Sequence, residues 1–297
     1  MYNVCKQHLL SCPQRAIHPI INAMSTRFLL IILPLCVTLL GLPIQDRTLD
    51  KTAVSELASA LGIPADADLI AETQKQWLRP PNKERWEVVD NFSEESHRFI
   101  LEWAEKEQFF AAWRPLYKQY DQAIILGATI GRMQTRLNYL KTLWSEGIRF
   151  SKVVWLTGDR PLDPRVEPVT EPCTTESDAA RLLWEETDLP PDMHALPITF
   201  ITVPMKQLNG RAVRPNTADT VIAWRDTHPA PCTLVVVSNQ PYCGYQFAVI
   251  KALLPDAYSF DLVGPATYTT AASTILDTVA RWIYQENLMQ VKTTAVE

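Results

Sequence analysis

Residues 121–127 read Asp-Gln-Ala-Ile-Ile-Leu-Gly, a short apolar run that ends in glycine and leads directly into a helical pattern. In that helix Met133, Leu137, Leu140 and Trp144 recur at spacings of three or four, which gathers them on one buried face. The same alternation then repeats. Lys152–Thr157 (KVVWLT), Ile198–Val203 (ITFITV), Thr233–Ser238 (TLVVVS) and Ser259–Val263 are further short strands, while Glu176–Thr187, Asn216–Thr227, Tyr245–Leu254 and Ala271–Asn287 read as helices. Strands that are continuously apolar are buried on both faces, so the pattern predicts an α/β, Rossmann-like three-layer sandwich around a mainly parallel five-stranded sheet. Ligands in such sheets bind outside the carboxyl ends of the strands, where the strand order switches.

Upstream, Lys51–Gly62 and Ala67–Leu78 read as helices, followed by the breaker Arg79-Pro80-Pro81-Asn82. From Ser93 a longer helical pattern places Phe99, Trp103, Phe110, Trp113 and Tyr117 on one face, with Pro115 expected to end it. The chain therefore divides into a leader (1–50), a helical extension (51–120) and the Rossmann-like domain (121–297). In the leader, Phe28 to Ile44 carries no charge and follows Arg27, the order expected of a signal sequence or membrane anchor, with Met24 a second candidate start. That order predicts a membrane-anchored or periplasmic protein, or a cytoplasmic one if the segment is not a targeting signal. A net charge of -5 without a Lys/Arg cluster argues against nucleic acid as a partner. Beyond the leader Cys173, Cys232 and Cys243 form no CxxC pair, so neither a zinc site nor a redox motif is indicated.

Five segments fall at the predicted carboxyl rim. Gly127-Ala128-Thr129-Ile130-Gly131-Arg132 departs from the dinucleotide fingerprint, yet it places a helix N-terminus at the end of the first strand, with Arg136 one turn beyond Arg132. It is either an anion site or a tight turn with two solvated arginines. Asp159, just after the second strand, suits ribose hydroxyls or is part of an ordinary turn. Thr175-Glu176-Ser177-Asp178 and Asn216-Thr217-Ala218-Asp219 read as capping boxes, a sufficient explanation that still leaves them at the rim. Ser238 and Asn239 follow the fourth strand. No nucleophile elbow, HExxH or phosphate-binding loop occurs, and none of the five histidines stands out as a general base. The catalytic residues, if any, are unassigned, and no metal ligands are expected.

The order of these segments resembles the YdcF/SanA/ElyC family, bacterial domains of poorly defined function, and the resemblance implies links to cell-envelope upkeep. Asp121–Gly127 with Arg132, the run from Tyr139-Leu140 through Trp144–Ile148 to Gly158, Glu176, Asn216-Thr217 and Val235–Asn239 are similar to its successive motifs. Departures include Gly127-Ala128 for a double glycine, Thr157-Gly158-Asp159 for Ser-Gly-Gly, and Tyr242 and Gln246 near an expected His and Arg. The resemblance implies a Rossmann-like fold, membrane anchoring through the N-terminal segment and a nucleotide-like ligand such as S-adenosylmethionine.

The expectation is thus a small polar or nucleotide-like ligand held at the rim. Gly127, Thr129 and Arg132 hold its anionic part and Asp159 its hydroxyls, with Glu176, Asn216, Thr217, Ser238 and Asn239 around the remainder. The alternatives are a transferase or hydrolase acting on an envelope precursor, with Asp159 or Glu176 as acid or base, and a noncatalytic scaffold that uses the helical extension.

Overall fold

The computed structural model describes residues 48–294, apart from 82, 170–172, 209 and 268–270; the expected leader lies outside the described residues. Among the described residues three helices come first: α1 (Lys51–Ala60), α2 (Leu69–Gln76) and α3 (Glu94–Lys106). Asp50 and Asp68 start the first two by accepting from free backbone N–H groups, and Ser93 does the same for α3.

The α/β part of the chain follows as β1 (Gln119–Leu126), α4 (Ile130–Ser145), β2 (Arg149–Gly158), α5 (Glu176–Glu186), α6 (Pro191–His194) and β3 (Ile198–Val203). A short antiparallel pair, β4 (Lys206–Leu208) and β5 (Arg211–Val213), then precedes α7 (Thr217–Arg225). The chain closes with β6 (Thr233–Val237), α8 (Cys243–Leu253), β7 (Ser259–Val263) and α9 (Ala272–Thr294). The five long strands form one wholly parallel sheet in the order β3-β2-β1-β6-β7, a Rossmann-like three-layer sandwich. The chain winds outward from β1 through β2 to β3, then returns to build β6 and β7 on the other side of β1. The switch point therefore lies between β1 and β6.

Register explains why the strands carry no polar face. Ile124 lies beside Val154 of β2 and Val236 of β6, and this row packs with Val221 and Trp224 of α7, Phe247 of α8 and Ile275 of α9. One residue on, Ile125 lies beside Trp155 and Val237, facing Met133 and Leu137 of α4 and Ala180 of α5. Successive strand side chains point to opposite faces, and here both faces are roofed by helices. Each fully buried leucine or isoleucine contributes about 1.5–3 kcal/mol to holding these layers together. The extension joins the first of these cores through Leu57 of α1 and Ile100 and Trp103 of α3.

The aromatic stripe departs from its expected form. Helix α3 stops at Lys106, well before Pro115, because Gln108 adopts a left-handed backbone with φ 59 and turns the chain. Phe110, Trp113 and Tyr117 are consequently not on the helix. Trp113 is buried and pairs with Gly264 in an isolated antiparallel bridge, which ties the extension to the end of β7. The β4–β5 pair lies between β3 and α7 and was not read from the sequence.

Candidate functional site

At the switch point the crevice is braced by Arg136. Its position on α4 turns the side chain inward over the end of β1, where Nη1 donates to the carbonyls of Leu126 (2.7 Å) and Gly127 (2.9 Å). Its Nε donates to Asn239 Oδ1 at 2.9 Å, so the end of β1 is linked to the loop after β6. Burial, and then the neighbouring charge of Arg132, depress Arg136 to about 10. A second polar chain lies alongside. Ser238, fully buried, donates to Gln246 Oε1, and Gln246 Nε2 donates to Thr217 Oγ1 at 3.1 Å.

The start of α4, the expected anion position, carries a carboxylate of the protein itself. Thr129 is its N-cap but makes no capping bond with its side chain. Instead Ile130 N donates to Glu167 Oε1 at 2.9 Å. Glu167 reaches there from the loop after β2, and Arg160 grips it through Nη1 (2.7 Å) and Nη2 (2.9 Å). The same guanidinium donates from Nε to Glu176 Oε2 at 2.7 Å, while Glu176 Oε1 accepts from Gly158 N at 3.0 Å. Burial raises the Glu176 carboxyl, opposed by Arg160 and the Gly158 N–H. Gly127 is required beneath it, since a Cβ there would collide with Glu176 Oε1 and stand 2.7 Å from the Leu156 carbonyl.

The surroundings of this braced core are strongly basic. Arg132 of α4 and Arg85 of the extension each stand 4.6 Å from the centre of the Tyr242 ring, a cation–π arrangement. Tyr242 is buried, and its hydroxyl has no hydrogen-bond partner among the described residues. Asp277 of α9 binds Arg85 Nη2 at 3.0 Å and Arg281 Nη2 at 2.8 Å, and it accepts from Arg79 N at 3.0 Å. Glu84 pairs with Arg214 at 3.1 Å and Arg79 at 3.5 Å. Arg132, by contrast, has no carboxylate within ion-pair distance among the described residues. The field is felt by Tyr245. Burial pushes its phenol up, yet Arg85, Arg281, the Thr217 hydroxyl and Arg136 together bring it below the usual tyrosine value.

The expected residues divide by position. Gly127, Arg132, Thr217, Ser238 and Asn239 surround the switch point directly or through Arg136 and Gln246, and Glu176 packs over Gly127. Asp159 lies farther out on the β2 side; it is exposed and accepts from Ser177 Oγ at 3.4 Å. Asn216 is an exposed N-cap whose Oδ1 accepts from Ala218 N and Asp219 N. Arg85, Arg214 and Glu167 were not singled out from sequence. They come from a breaker-flanked segment, a turn and a proline-rich loop, none of which carries a motif. Among the described residues no group of three His, Cys, Asp or Glu side chains is placed to hold a metal ion.

Fold and site together define a Rossmann-like α/β protein with an arginine-lined switch point. The chain matches no known family model, no curated protein and no solved structure.

Proposed function

We propose that this chain binds a small, phosphate-bearing, nucleotide-like ligand at the carboxyl edge of its sheet, between the ends of β1 and β6. The observation that carries the reading is the pairing of Arg85 and Arg132 on Tyr242, with Arg132 left without a carboxylate in a protein of net charge -5. Such a local surplus of guanidinium draws anions and suits the planar, multiply accepting shape of phosphate. It favours phosphate over S-adenosylmethionine, whose sulfonium adds another positive charge. Because Glu167 occupies the start of α4, the ligand's anion belongs at Arg132, Arg85 and the start of α8, and Thr129, Thr217 and Asn239 flank it. A YdcF-like protein at the cell envelope is the setting we propose, resting on the segment order and the apolar run Phe28–Ile44. Among the described residues no helix is long and apolar enough to cross a membrane.

Calorimetric titration of the full chain with pyrophosphate, ADP and S-adenosylmethionine tests the reading. Pyrophosphate and ADP should bind, more weakly as salt rises, and Arg132→Ala should weaken both by about tenfold or more, the loss of one charge-assisted contact. Binding of neither phosphate compound, or binding indifferent to Arg132→Ala, would overturn it.

A further inference from the structure

Beside the arginine cluster the extension and α9 form a half-open cavity of about 340 Å3, lined by residues 75–80, Arg85, Val88, Val89, Asn91, Phe92 and the first turns of α9. Its size falls within the range of small-molecule sites. Leu78, Val88 and Leu276 supply apolar wall, while Asn91, Ser273 and Thr274 supply groups able to form hydrogen bonds. Arg79 and Arg85 also line it, and the Nε–H of each is shielded from solvent without an acceptor among the described residues. Asp277 does not serve those atoms, because its oxygens already accept from Arg79 N, Arg85 Nη2 and Arg281.

Arg85 connects this cavity to the anion site. One side of its environment is the cavity lining, and the other is the Tyr242 ring that it shares with Arg132. A ligand with its phosphates at Arg132 and Arg85 therefore has an amphiphilic compartment on the cavity side of Arg85. Apolar walls interrupted by polar and charged side chains fit a flat heterocycle with polar edges better than a bare hydrocarbon. We propose that this cavity is the nucleoside subsite: the ligand is a nucleoside phosphate whose base enters between Leu78, Val88 and α9 and whose phosphates lie at Arg85 and Arg132. The inference rests on the phosphate-binding reading above and adds the class of group that the phosphate carries.

Titrating the full chain with ADP, UDP and pyrophosphate separates the two ideas. The subsite predicts that at least one nucleotide binds about tenfold or more tighter than pyrophosphate. Filling the cavity from α9 with Ser273→Trp, or from the opposite wall with Val88→Trp, should abolish that advantage and leave pyrophosphate binding unchanged. Two substitutions on different elements guard against one of them failing to fold. If pyrophosphate binds as tightly as both nucleotides, or if the advantage survives in a folded tryptophan variant, the subsite is wrong and the phosphate site stands. Failure of all three compounds to bind would overturn both.

Discussion

Arg136 donates its Nε–H to Asn239 Oδ1 at 2.9 Å, and this contact joins α4 to the loop after β6 at the point where the sheet order switches. The guanidinium also serves two main-chain carbonyls, so it braces the crevice from inside. Arg136→Met should leave those acceptors without a buried donor and lower stability by about 3 kcal/mol, read as a fall in the urea midpoint. Arg136→Lys keeps the charge but lacks the planar fork, and its midpoint should lie between the two.

Glu167 is held by Arg160 and by the first N–H of α4, and it is almost fully buried. Glu167→Gln removes the charge that balances Arg160 and should destabilise the chain by about 3 kcal/mol, a fall of about 6–12 °C in the thermal midpoint. An unchanged midpoint would mean that the loop after β2 contributes little to the fold.

Gly127 lies where a methyl group meets Glu176 and the Leu156 carbonyl, and the second of these is backbone that has little room to retreat. Gly127→Ala should cost about 1–3 kcal/mol by overpacking. The control is Gly131→Ala, where the added carbon meets nothing within 4 Å. Paired thermal melts should show a clear fall for the first and little change for the second.

Asp277 links pH to stability. Burial opposes its charge, but Arg281, Arg85 and the Arg79 N–H outweigh this and hold its carboxyl down to about 2, against 3.8 ordinarily. A carboxyl depressed in the folded state stabilises fully above its unfolded value, and that contribution is lost as pH falls through the folded one. About 2–3 kcal/mol should therefore disappear between roughly pH 4 and pH 2. Urea midpoints measured across that window should fall more steeply for the unaltered chain than for Asp277→Asn, which starts lower because Arg85 and Arg281 lose their partner.

Much of this was legible in the residues. Ile198–Val203 and Ser259–Val263 are strands with the bounds their apolar runs indicate, and Thr175/Asp178 and Asn216/Asp219 form the reciprocal caps their spacing implies. These features rest on contacts among near neighbours in the chain, which a linear pattern records. The end of α3 was not legible, because Gln108 takes a left-handed turn that residue type alone does not announce. Nor was the role of Glu167, whose partners Arg160 and Ile130 N meet it only once the loop has folded back over α4.

By itself the sequence determined the layers, because runs apolar on both faces are stable only as inner strands covered by helices, and it placed Gly127, Ser238 and Asn239 at the strand ends. Only the tertiary structure decided which charges meet there. Arg85 arrives from the extension, Arg132 from α4, Arg214 from the turn before α7 and Asp277 from α9, positions far apart in the chain. Electrostatic interaction depends on distance in space and on burial, and neither quantity is written in the order of residues.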